Sequence, residues 1–274
     1  MNLLQRYCGA FCRRARLSRI LIYVSKLRFS GRLALVKRLP RYALRQVLVF
    51  LFSAFGAISW GHAEVVITNP GLADHETLSY TETIDTLTRP FEVTLTLNPT
   101  APAHYEFHSV GADLESTYRL DPTTLQSLSS ESVTSGVDAT VLRTVEYRNL
   151  KTKPGKDDLV VTDLGSLPIV LRGFPWGTTS FAKLLYVGNT SYAGSAISFE
   201  LQVVGRQSIA AAGRTWDCWH VTTGLGGALG LLMAKTEWWF AAEGSHPLIK
   251  ASGPSGGPGS PTRMLLLQSY TIGR

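Results

Sequence analysis

The sequence predicts a mainly β fold: a strongly curved antiparallel sheet, a half-barrel or open barrel, with one or two short helices. Three observations lead there. After residue 63, short β-prone segments with period-2 alternation follow one another, separated by Pro, Gly and Asn turn signals. Only Thr123–Ser132 and Leu167–Leu185 are compatible with a helix, and Pro168 and Pro175 cut the second. No internal repeat or long helical period runs through the chain.

The first 63 residues are of another kind. They hold 12 of the 27 Lys and Arg and none of the 20 Asp and Glu. Residues 64–274 therefore carry 15 basic and 20 acidic side chains, a net −5, and the overall +7 belongs to the leader. No nucleic-acid partner is implied, because a binding surface must be charged on the folded domain. The apolar run Val47–Trp60 follows Arg38, Arg41 and Arg45 and precedes Gly61-His62-Ala63. A basic flank, 14 largely apolar residues and small residues before the cut predict a signal peptide cleaved after Ala63, which engages the secretion machinery. The run is shorter than the roughly 20 residues that cross a bilayer core; retention as an anchor is the alternative. The long basic stretch from Arg13 to Arg28 has two readings. One is an upstream start codon with initiation nearer Leu35 or Val36; the other is an acid-free transit peptide. The sharp cleavage site favours the first. The mature protein is thus expected in the periplasm or otherwise exported, as a single β-rich domain over residues 64–274.

Those 211 residues suit one sizeable core. Cys8 and Cys12 leave with the leader, so Cys218 has no disulfide partner within the chain. Its setting in Trp216–Val221 reads as a strand and predicts a buried, inert thiol. The strands follow in order. Leu78–Leu87 alternates Leu78, Tyr80, Glu82 and Ile84 with small polar residues. Pro90–Leu97 sets Phe91, Val93, Leu95 and Leu97 against Glu92, Thr94 and Thr96, one face for a core and one for solvent. His104–Val110, Ser116–Asp121, Thr140–Asn149, Ser195–Gln207, Thr215–Thr223, Ala234–Ala241, Leu248–Ala251 and Arg263–Tyr270 complete a set of eight to ten. Small residues at Ala210–Gly213 predict a hairpin turn, Glu243-Gly244 a second, and Ser252–Pro261 a Gly- and Pro-rich loop.

Motifs that suggest chemistry do not survive their context. Gly253-Pro254-Ser255-Gly256-Gly257 matches a nucleophile elbow, but its flanks are loop and no Asp, Glu or His follows residue 246. Gly224–Gly230 lacks the spacing and the βαβ unit of a dinucleotide loop and reads as a strand connection. His104 and His108 on one strand lie about 13 Å apart, too far to share a zinc ion. Catalytic, cofactor and metal residues are therefore expected to be none. Aromatics are denser in the second half, and alternation sends Trp238 and Phe240 to one face and Trp239 to the other. Ordinary core accounts for such residues; a cavity in a curved sheet is the functional alternative.

The C-terminal half carries a resemblance. Phe199–Gly205 is followed by Ala212-Gly213-Arg214-Thr215-Trp216-Asp217-Cys218, then by Glu237-Trp238-Trp239-Phe240, His246-Pro247-Leu248-Ile249-Lys250 and Met264–Tyr270. This order resembles an exported bacterial family known only as a domain of unknown function. That family is similar in fold to periplasmic lipoprotein carriers, half-barrels wrapped over helices that shelter an acyl chain. The resemblance spans residues 165–270, more loosely Leu78–Ile84, and brings no catalytic residues.

The expected function is non-catalytic binding of a lipid or other apolar ligand, or of an envelope protein, in the concave face. Trp176, Phe181, Trp216, Trp238 and Phe240 are the candidate ligand-binding residues. A small outer-membrane β-barrel is the alternative, although the segments are short and broken for one. A hydrolase using Asp157, Asp158 or Asp163 with His75 or His246 comes third.

Overall fold

The computed structural model describes residues 65–134, 141–146, 158–186, 197–230, 233–255 and 259–273. The leader, its cleavage site and Asp157 lie outside them. Thirteen strands form one sheet: β1 (His75–Ile84), β2 (Leu87–Asn98), β3 (His104–Val110), β4 (Leu114–Leu120), β5 (Ser127–Thr134), β6 (Val141–Glu146), β7 (Asp158–Val161), β8 (Phe181–Tyr186), β9 (Ile197–Ala211), β10 (Arg214–Leu225), β11 (Thr236–Ala241), β12 (Leu248–Pro254) and β13 (Thr262–Ile272). Their order across the sheet is β6-β5-β4-β3-β2-β1-β13-β12-β11-β10-β9-β8-β7. All neighbours are antiparallel except β7 and β8. A short helix, α1 (Leu167–Val170), continues into a 3-10 turn over Leu171–Gly173, and α2 (Gly227–Gly230) is a single turn joining β10 to β11. The mainly β, curved antiparallel class is the one the alternation predicts.

Curvature has a local cause. Gln268, Ile249, Val204 and Leu128 are extra residues at register shifts on β13, β12, β9 and β5. Such bulges bend a strand and increase its twist. The bending wraps one face, here the inner face, around α1. On that face lie Leu78 and Tyr80 of β1, Val93 and Leu95 of β2, Phe107 of β3 and Leu267 of β13, all buried. The outer face of β1 to β5 carries Thr77, Thr81, Thr94, Thr96, Glu106, Arg119 and Glu131. A lipid-embedded barrel needs an apolar band there, so these strands are not a membrane-facing wall.

One end of the curved sheet is plugged. Pro168 fits the first turn of α1, and Pro175 stops the chain from continuing as helix. Every residue from Leu167 to Phe174 except Pro168 is buried. Gly173 accepts from Thr68 N–H at 3.2 Å, and a Cβ there would stand 2.2 Å from Thr68 O. Only glycine lets the segment ahead of β1 lie this close. Arg172 is 1% exposed and ties the plug to the sheet. It donates to Glu76 Oε2 at 2.8 Å, to Ser245 O at 2.7 Å and to Ser245 Oγ at 2.6 Å.

Near its two edges the sheet is tethered at this end without a ladder, between β5, which lies next to the edge strand β6, and the segment after the edge strand β7. Ser127 Oγ donates to Ser166 Oγ at 2.7 Å, Thr162 Oγ1 to Ser127 O at 3.2 Å, and Ser130 Oγ to Asp163 Oδ2 at 3.3 Å. The hydroxyls of β5 thus hold the segment that follows β7.

Several expectations need correction. Thr123–Ser132 is no helix. Asp121 Oδ1 accepts from the N–H groups of Thr123 and Thr124 at 2.9 and 2.8 Å, Leu125 takes a φ of +57°, and the chain turns into β5. Helix in Leu167–Leu185 stops at Gly173, and β8 forms from Phe181. With β5, β7 and β8 added, the strands number thirteen rather than eight to ten. The loop at Ser252–Pro261 is shorter than expected, because β12 runs to Pro254 and β13 begins at Thr262.

Candidate functional site

Strand register assigns every inward side chain. Toward the plug these residues are buried: Leu78, Leu95, Tyr105 and Leu120 are at most 4% exposed. Toward the opposite end, where the β1–β2, β3–β4 and β12–β13 connections lie, the inner face remains apolar but only half-buried. Ile84, Phe91, Tyr186, Phe199, Leu225 and Trp238 belong to it. This is the open end. Covering an apolar sheet face takes a second layer, and among the described residues the helical segment, residues 167 to 173, lies at the plugged end, against Glu76 and Thr68.

Aromatic rings continue from one zone to the other. Trp176, just past the plug, packs on Phe174 at 4.9 Å and on Phe240 at 5.4 Å. It stacks on Trp219 at 6.2 Å with an interplanar angle of 11°. Phe240 stacks in turn on Trp238 at 6.5 Å. The Trp238 indole N–H donates to Thr223 Oγ1 at 2.9 Å, which fixes the ring. The buried Trp176 Nε1 has no acceptor among the described residues.

The structure brings together three of the five candidates, Trp176, Phe240 and Trp238, and adds Trp219. Phe240 is 0% exposed and forms the floor of the group. Phe181 and Trp216 lie elsewhere. Phe181 pairs with Gln202 on the outer face and is 38% exposed. Trp216 pairs with Ile209 on the outer face and donates to Ala211 O at 3.0 Å, with the Arg214 guanidinium 3.4 Å over its ring. Ile209, Ala211 and Cys218 share its face and are buried, because the β9–β10 hairpin curls back until Ala212 N–H donates to Leu267 O at 3.1 Å. Burial pushes the Cys218 thiol up to about 12, with Asp217 adding to the rise and Arg206 opposing it. A thiol so placed is no nucleophile at neutral pH.

One charged group belongs to the open end of the inner face. Glu82 of β1 is 3% exposed and accepts from Arg89 Nε of β2 and Arg263 Nε of β13. A Glu in phase with Leu78, Tyr80 and Ile84 was the available signal, although its partner 181 positions away was not. The other polar candidates are held separately: Asp158 by Lys183 at 3.2 Å, His75 by Thr96 at 3.0 Å, His246 by Ala241 O at 2.8 Å. Burial holds the His246 imidazole below its ordinary value, and Arg172 and Arg206 add to this against the bond to Ala241. Among the described residues no group of three or more His, Cys, Asp or Glu is placed to hold a metal ion.

No family model matches the chain, and no curated protein matches it. Solved structures resemble it in fold. A β-barrel-like protein of a domain of unknown function, DUF1849, from Brucella abortus has a TM-score of 0.45 and 12% identity over 77% of this chain and 100% of that one. The lipoprotein LppX of Mycobacterium tuberculosis has a TM-score of 0.30 and 12% identity over 86% and 98% of the two chains. A DUF1329 family protein from Desulfovibrio piger has a TM-score of 0.30 and 9% identity over 74% and 87%. Two of these three are proteins of domains of unknown function and one is a lipoprotein.

Proposed function

We propose that this is an exported, non-catalytic protein that holds a lipid or other apolar ligand against the open end of its inner face. One observation carries the reading: an apolar wall continuous with the core, half-buried from Trp238 to Phe91 where the plug no longer covers it. Water against such a wall is unfavourable by about 25 cal/mol per Å², which an apolar chain laid along it would recover. Trp238, anchored by Thr223, offers a rigid flat surface at the boundary between floor and opening. Phe240 and Trp176 support that surface from below. Export rests on the basic flank and apolar run of the leader and on the cut expected after Ala63.

The test is direct. The protein, expressed from its full sequence and purified without detergent, is examined by native mass spectrometry and then extracted with organic solvent. A stoichiometric apolar adduct is the expected result; an apo mass that takes up no fatty acyl probe overturns the reading. Trp238→Ala is expected to weaken binding of that probe about tenfold or more while the protein stays folded. A loss of about 3–5 kcal/mol of stability with unchanged binding in the folded fraction assigns Trp238 to the core instead.

A further inference from the structure

The inner face of β1 is apolar except at its two ends. Glu76 at the plugged end completes the anchorage of Arg172. Glu82 at the open end anchors no plug and joins no helix. It sits cross-strand from Leu265 and two residues from Tyr80, both buried, so apolar side chains already fill its surroundings. Replacing a buried Arg–Glu–Arg group by apolar residues is often neutral or stabilising. Stability alone therefore does not call for a carboxylate here.

What Glu82 does is hold two guanidiniums in place, each by its Nε. Arg89 passes Nη1 outward to Asp113 Oδ2 at 2.6 Å, a carboxylate whose side chain is 78% exposed. Arg263 makes no such second bond. Its side chain is 38% exposed, its guanidinium lies 5.1 Å over the Phe91 ring, and its two Nη groups have no partner among the described residues. The inward-facing group of Arg89, Glu82 and Arg263 carries +1, and the charge that offsets it, Asp113, stands in solvent where its field is screened. A fixed guanidinium fork beside an aromatic wall is the geometry that takes a planar or tetrahedral oxyanion by two parallel hydrogen bonds.

We infer that Arg263, held by Glu82 and flanked by Arg89, forms a headgroup site for an anionic amphiphile, a carboxylate or phosphate monoester whose chain lies along Phe91 and Trp238. This rests on the reading that the open end takes an apolar ligand. The anion stays at the rim, where water still reaches it, and the chain enters the half-buried layer. Glu82 acts as a positioning residue and Arg263 makes the contact.

Fluorescence titration with cis-parinaric acid and with its neutral methyl ester separates the two claims. The unmodified protein is expected to bind the acid about tenfold more tightly than the ester, with the gap narrowing as salt is raised. Hexadecyl phosphate should displace the acid, whereas acetate and inorganic phosphate at the same concentration should not. In Arg263→Gln the gap between acid and ester should close, and in Arg263→Lys, which keeps the charge without the fork, it should shrink. Equal binding of acid and ester by the unmodified protein overturns the headgroup site and leaves the apolar reading standing. Displacement by inorganic phosphate as strong as that by hexadecyl phosphate also overturns it, in favour of a free-anion site. Binding of neither probe overturns both readings at once. The acid–ester comparison needs no variant, so a folding defect in Arg263→Gln does not remove the test.

Discussion

Arg172 and Glu76 are 1% and 0% exposed, and removing either leaves the other charge buried without its partner. Arg172→Ala or Glu76→Ala is expected to cost about 3–5 kcal/mol in urea denaturation. The double variant should cost clearly less than the two single losses added, because the second substitution removes a charge already stranded. Asp121 is tested by pH instead. Burial alone would raise its pKa, but the hydrogen bonds from Thr124 and Thr123 outweigh it and hold the carboxyl below its ordinary value. A depressed carboxylate contributes stability that is complete above its unfolded value, near 4, and is lost as pH falls through the lower folded value. Asp121→Asn should therefore flatten the acid side of the stability–pH curve below about pH 4, measured by thermal melting.

The β9–β10 hairpin turns through Ala212 and Gly213, with φ of +51° and +71°. Both signs belong to a type I′ turn, whose twist matches that of the strands. Gly213→Ala places a Cβ in the left-handed region and is expected to cost about 1 kcal/mol in chemical denaturation. This element was legible from its small residues, as were β2 from its strict alternation and the end of α1 from Pro175. β5 was not. Its inward residues Ser127 and Ser130 bond the segment after β7, so serine replaces the expected apolar residue for a reason found 33 and 39 positions away. β7 has four residues, too few to alternate convincingly, and pairs in parallel. The candidate site divides in the same way. Alternation correctly separated Trp238 and Phe240 from Trp239. It had no means of putting Phe181 and Trp216 on one common scale with them, because that takes the registers of β8 with β9, of β9 with β10 and of β10 with β11, none of which has a local trace. The pairing of Glu82 with Arg263 depends on β1 meeting β13, a tertiary fact without local trace.

At the scale of the molecule, that meeting is the decisive one. β1 and β13 pair along nearly their whole length, so the centre of the sheet forms only when segments almost 190 residues apart find each other. Contacts of such separation slow folding far more than they alter stability. The observed strand order makes the point sharper. Read from edge to edge it runs β7 through β13 and then β1 through β6, which is the chain order cut once and rejoined. Gly273 N–H donates to His75 O at 2.9 Å, so the two places to be joined are neighbours. A circular permutant opened between β6 and β7, with a short linker from β13 to the segment ahead of β1, would place every strand beside its predecessor. It is expected to refold faster, in stopped-flow measurements, while unfolding at nearly the same rate. In topological terms the protein is an up-and-down ribbon from β8 to β13 and on through β1 to β6, with β7 added in parallel at one edge, and its seam has been moved to the middle. The native chain must hold its first strand in waiting until its last one arrives.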